Sequence, residues 1–178
     1  MVHAVMPNAF LYEFVLFLHI LTAIAGFGST FVWPVLSVMA RKSGDLTLSA
    51  QVGRLSEQAG RKFEPLILAN GVLGLVLVYF GTTEDPAYWE FSDTWITIAM
   101  TLYIAALALS FGLHLPNLKA MASLQEQLIE GVPGGQQGLP PQVAELEARE
   151  KKAAMYGGIL HLAFALILLD MVFKPGVG

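Results

Sequence analysis

From Leu11 to Ala40 the chain (LYEFVLFLHILTAIAGFGSTFVWPVLSVMA) is apolar for longer than a bilayer is thick, yet it holds a histidine, His19. About 20 helical residues cross the hydrocarbon core, so His19 must lie within it. An ionisable group at that depth is costly and marks a functional-site hypothesis.

Composition agrees with this stretch. The 178 residues are 55% hydrophobic and 13% charged, against about a quarter charged in a soluble domain. The absence of cysteine excludes disulfides, iron–sulfur clusters and thiol catalysis. A net charge of -4 is no nucleic-acid footprint. The opening MVHAVMPNAF lacks Lys and Arg, so the first helix reads as a retained span and not as a cleaved signal.

Four segments have the length and apolarity of spans, at roughly 11–39, 65–81, 94–115 and 153–173. Backbone in lipid must satisfy its own hydrogen bonds, so each is a helix. The expected fold is an all-α membrane protein, a four-helix antiparallel bundle forming a single domain over residues 1–178. Arg41, Lys42, Arg54, Arg61 and Lys62 fall in the first connector, and Lys119, Arg149, Lys151 and Lys152 in the third; the middle connector, TTEDPAYWEFSD, has no basic residue. The positive-inside rule then puts both basic connectors in the cytoplasm and both termini outside a bacterial inner membrane.

Within the first connector, Asp45 can cap a helix with Leu48, Val52, Leu55 and Ala59 on one face. Such a helix would lie on the inner surface or stand out as a soluble hairpin arm. In the second span, Gly71 and Gly74 allow close helix approach, and Asn70 can hydrogen-bond across an interface. Tyr88, Trp89, Phe91 and Trp95 read as an interfacial aromatic belt, and Trp33 as an anchor at the opposite surface. Glu84, Asp85, Glu90 and Asp93 read as a solvated loop. Pro116 is expected to kink or interrupt the third helix. GVPGGQQGLPP breaks the chain, and Pro141 suits the first turn of a helix running into the fourth span. The two extensions make a short cytoplasmic hairpin.

Chemistry centres on the histidines. His3 belongs to the N-terminal tail. His19 shares a helical face with Ala23, Gly26 and Thr30, and His161 with Ala154, Gly158 and Ala165. A stripe of small residues permits close packing or leaves room for a flat ligand. Two imidazoles on facing helices, with small residues beside them and Arg41, Lys42, Arg149, Lys151 and Lys152 for propionates, meet the needs of a b-type haem. The depths are about 12 Å for His19 and about 18 Å for His161, taken from the outer helix ends at 1.5 Å per residue. The competing reading is an imidazole hydrogen-bonded to a neighbouring helix. His114, two residues before Pro116, reads as an interfacial histidine and as the alternative ligand. Glu13 and Asp170, near outer helix ends, read as reaching the headgroups or as passing protons outward. Phosphate loops, zinc spacing and nucleophile–base motifs are absent from the sequence.

The segments FLHILTAIAGFGSTFVWPVLSVMARK, GRKFEPLILANGVLGLVLVYF and WITIAMTLYIAALALSFGLHLPNLKAM resemble a family of small bacterial integral membrane proteins. That family is similar to the copper-resistance-D membrane domain and, more distantly, to HemJ-type protoporphyrinogen oxidase. The resemblance implies a four-helix haem-associated fold, with His19 matching the first-helix histidine. ITIAMTLY, after Trp95, lacks the lysine that HemJ-type proteins carry there.

The leading expectation is therefore a haem b protein with His19 and His161 as ligands, exchanging electrons with quinone or a partner protein. The alternatives are a non-enzymatic membrane subunit or assembly factor, acting with a partner or a second copy of the chain, and, third, a small metal-ion transporter.

Overall fold

The computed structural model describes residues 9–83, 87–130 and 141–176. His3, Glu84, Asp85 and most of the GVPGGQQGLPP break lie outside them. The described residues are all-helical: α1 (Ala9–Thr30), α2 (Val32–Lys42), α3 (Leu46–Thr82), α4 (Thr94–Leu109), a π-helical turn (Ser110–His114), α5 (Leu115–Glu130) and α6 (Pro141–Phe173). They combine into four rods long and apolar enough to cross a membrane: Phe10–Lys42, Thr47–Thr82, Thr94–Leu128 and Pro141–Phe173. The expected bundle is present.

Each rod is longer than the span expected of it. A rod of 33 residues measures about 50 Å at 1.5 Å per residue, against a hydrocarbon core of about 30 Å. The excess projects at the basic end, where the charged residues are. The second rod shows this most clearly, because α3 runs without interruption through Pro65. The Leu48–Ala59 segment is thus continuous with the span and is not a separate helix lying on the surface. Its start is set as expected. The Asp45 carboxylate accepts from the Thr47 and Leu48 amides at 2.8 and 3.1 Å, satisfying two of the free N–H groups of a helix N-terminus.

Prolines shape the other two irregular rods. Pro34 has no amide to offer the Thr30 carbonyl, and its ring crowds that carbonyl; α1 and α2 meet there at a one-residue turn, Phe31. Pro116 does not interrupt its helix. The preceding turn widens instead, so that the Leu115 amide reaches back five residues to the Ser110 carbonyl. Pro141 opens α6, which continues into the fourth span as expected.

The rods pack as two close pairs. α1 lies mainly against α3, and α4 against α6. Contact between α1 and α6 is made by rings: Phe27 stacks on Phe164 at 4.5 Å. Apolar side chains such as Phe17, Ile24, Val72, Ile104, Leu162 and Val172 face outward, as lipid-facing surfaces require. At the aromatic end, Val78, Trp95 and Ile96 form a buried core flanked by Trp89, Met100 and Met171. At the basic end, Ala40, Ala50, Leu124 and Leu146 are buried between α2, α3, α5 and α6. Arg41 pairs with Glu150 at 2.8 Å, and Asn117 donates to the Arg149 carbonyl at 2.9 Å. The rods thus continue past the membrane as a packed helical cap.

Candidate functional site

α1 turns His19 towards α3. The His19 Nδ1 lies 3.0 Å from the Asn70 backbone carbonyl, and the Asn70 amide donates to the His19 carbonyl at 2.7 Å. The carbonyl oxygen can only accept, so this contact calls for a proton on Nδ1. The ring lies against Gly74, whose added Cβ would stand 3.2 Å from Cε1. Gly26 is covered in the same way: a Cβ there would meet Ile67 Cγ1 at 3.1 Å and the Ile67 amide nitrogen at 3.2 Å. The Ala23–Gly26 side of α1 is therefore no haem cradle, because α3 fills it. Asn70 is the cross-helix hydrogen bonder that its position suggested.

His161 sits elsewhere. Its Nε2 is 3.1 Å from Thr30 Oγ1, and its ring stacks on Phe31 with centroids 4.2 Å apart. Thr30 is eleven residues beyond His19 on the unbroken α1, about 16 Å along its axis. One iron needs both ring nitrogens in direct contact, so His19 and His161 do not fit as its two ligands. The Ala154, Gly158 and Ala165 positions are exposed, and a Cβ on Gly158 would meet nothing within 4 Å. That stripe faces out of the bundle and does not flank a ligand beside His19.

The histidine that does approach His161 is His114. The π-helical turn carries it to α6, where its Cε1 would lie 3.9 Å from a Cβ on Gly157. Gly157 and His161 are one helical turn apart on one face of α6. The His114 Nδ1 is buried with no hydrogen-bond partner among the described residues. The Thr30 hydroxyl donates to the Phe27 carbonyl at 2.7 Å, so Thr30 Oγ1 accepts from His161 Nε2–H. That leaves the His161 Nδ1 lone pair as its open acceptor. Among the described residues, no hydrogen bond is made at Nδ1 of either ring.

Two departures from regular helix coincide at this level, the Phe31 turn and the π-helical turn, and both face the Gly157–His161 turn of the continuous α6. Single π-helical turns occur often at functional sites, because they re-aim a side chain while the flanking helix keeps its packing. Pro116 was the sequence signal that could have moved His114 from the interface to the interior. No group of three or more His, Asp or Glu able to hold a metal ion occurs among the described residues.

The aromatic end corrects one further expectation. Asp170 does not reach the headgroups; it is buried, and neither carboxylate oxygen has a hydrogen-bond partner among the described residues. Glu13, by contrast, is exposed.

No curated protein and no solved structure matches the chain, so the expected likeness to copper-resistance-D and HemJ-type proteins gains no support there. The family model described as predicted integral membrane protein (DUF2269) matches residues 13–175, and the chain belongs to that family of integral membrane proteins.

Proposed function

We propose that this protein binds haem b inside the membrane through His114 and His161, and that it carries electrons between a quinone or a redox protein and that site. The single observation behind this reading is the buried, orphaned Nδ1 of the half-buried His114, whose ring lies beside Gly157, one helical turn along α6 from His161. A buried polar atom without a partner is costly, and an imidazole nitrogen in that state is a ready ligand for iron. The bound group would supply one-electron chemistry. The chain's own work is to hold two imidazoles from two helices, to fix the His161 tautomer through Thr30, and to shield both rings from lipid with Phe31 and Tyr156. Such outer hydrogen bonds orient ligating histidines. His19 has a different task, tying α1 to α3.

The absorption spectrum of purified protein expressed with added haem tests this. A Soret band is expected in the wild type and in His19→Ala, and its loss in His114→Ala and His161→Ala. Colourless wild-type protein, or a band removed only by His19→Ala, overturns the assignment.

The same reading places the basic end in the cytoplasm of a bacterial inner membrane, in accord with the positive-inside rule. The cysteine-free sequence makes orientation simple to measure. Cysteine at Thr83 is expected to react with a membrane-impermeant maleimide in intact cells. Cysteine at Ser43 should react only after permeabilisation, and the reverse pattern would invert the topology.

A further inference from the structure

The aromatic end holds a second group of unsatisfied side chains, far from the histidine pair. Asp170 lies in the last turn of α6 with 7% of its surface exposed and both carboxylate oxygens unpartnered among the described residues. One turn later the chain leaves the helix at Lys174, in a left-handed conformation with φ 41°, and the Lys174 amide donates to the Asp170 carbonyl at 2.8 Å. The Lys174 ammonium does not pair with the carboxylate. It stands over two indoles, 5.4 Å from the Trp89 ring centre and 5.1 Å from that of Trp95. Both distances lie within the reach of cation–π attraction, about 6 Å. The two indoles meet edge to face, at 85°. The Trp89 ring rests on Gly81, where any side chain would collide with it, and its N–H donates to the Val78 carbonyl at 3.2 Å. Trp89 is thus fixed from behind. The buried Trp95 N–H has no acceptor among the described residues.

We propose that Asp170, Trp89 and Trp95 form a binding site for an alkylammonium group, and that Lys174 occupies its aromatic half as a tethered stand-in. The unsatisfied atoms define the ligand by complement. Asp170 calls for N–H donors bearing positive charge, the indole faces for a compact cation, and the Trp95 N–H for an oxygen acceptor near that cation. A 2-hydroxyalkylammonium supplies all three. Its chemistry is shared by free ethanolamine-type amines and by aminophospholipid headgroups, which lie at the level of an interfacial aromatic belt. A hard divalent cation is a poor match. It takes six or more oxygens, and no cluster of three or more acidic or histidine side chains stands there among the described residues.

The test uses the full chain in an amine-free, uncharged detergent. A Trp33→Phe background leaves Trp89 and Trp95 as the two fluorophores of a chain with three tryptophans. Ethanolamine is the probe and ethylene glycol the uncharged control. A saturable change in tryptophan emission is expected with ethanolamine alone. Adding Lys174→Ala removes the tethered competitor and should tighten the apparent affinity about threefold or more, since a tethered group acts at high effective concentration. Asp170→Asn, which keeps side-chain size, should weaken it about tenfold or more, the equivalent of about 1.4 kcal/mol. Absence of a saturable response in the Lys174→Ala protein overturns the proposal, as does an affinity unchanged by that substitution. Native mass spectrometry after reconstitution in phosphatidylethanolamine and phosphatidylglycerol separates the two sources. Selective retention of phosphatidylethanolamine, lost in Asp170→Asn, assigns the site to a lipid headgroup; fluorescence binding without such retention assigns it to a soluble amine.

Discussion

Gly71→Leu is expected to lower the thermal midpoint of the detergent-solubilised protein by about 5–15 °C, whereas Gly28→Leu leaves it unchanged or slightly raised. A Cβ at Gly71 would stand 2.5 Å from the Tyr103 hydroxyl oxygen and 2.6 Å from two ring carbons. That ring cannot give way freely, because its hydroxyl donates to the Ile67 carbonyl at 2.7 Å and so clips α4 to α3. Overpacking of this kind costs about 1–3 kcal/mol, and losing a hydrogen bond between membrane helices adds about 0.6–1.7 kcal/mol. Nothing lies within 4 Å of the corresponding position on Gly28. If glycine mattered here only through helix propensity, leucine would stabilise at both positions. A thermal melt of the two variants against wild type, followed by circular dichroism, separates the two accounts.

The same contrast shows which parts of the molecule could be read from the sequence. Rod number, the separation of a basic end from an aromatic end, the Asp45 cap and the bridging role of Asn70 follow from hydropathy, charge placement and residue chemistry. They depend on local properties of each segment. The partner of each helical face does not. Periodicity groups His19 with Ala23 and Gly26, but it cannot say that α3 covers that face and that α6 lies opposite Thr30, eleven residues further on. The Gly158 stripe fails for the same reason: small residues permit an approach without requiring one, and here the face stays open.

His114 was obscured by a different effect. A period of 3.6 residues assumes continuous α-helix, and the π-helical turn at Ser110–His114 changes the phase between α4 and α5. Asp170 shows the limit of reading depth from sequence. Its place near a helix end suggested headgroup contact, but side-chain direction decides exposure, and α6 turns it inward beside Met171 and the Trp95 core.

The sharpest check on the imidazole pair comes from two adjacent glycines of α6. Gly157→Leu is expected to reduce the Soret band to the level of His114→Ala, while Gly158→Leu retains it. A Cβ at Gly157 would already be in van der Waals contact with the His114 ring, at 3.9 Å, and a leucine side chain adds bulk beyond it. Among the described residues, no hydrogen bond at Nδ1 holds the ring against that push. The neighbouring Gly158 points out of the bundle, so leucine there meets lipid. Both substitutions remove the same flexibility and add the same apolar surface, which leaves direction as the difference between them. Overpacking at Gly157 should also cost about 1–3 kcal/mol of stability. The Hε1 resonance of His114 in histidine-labelled, haem-free protein gives a second readout independent of any bound group. It should shift in Gly157→Leu and hold its position in Gly158→Leu. Equal behaviour of the two variants in both measurements would mean that His114 does not rest on α6, and the paired-imidazole site would have to be abandoned together with the electron-transfer reading built on it.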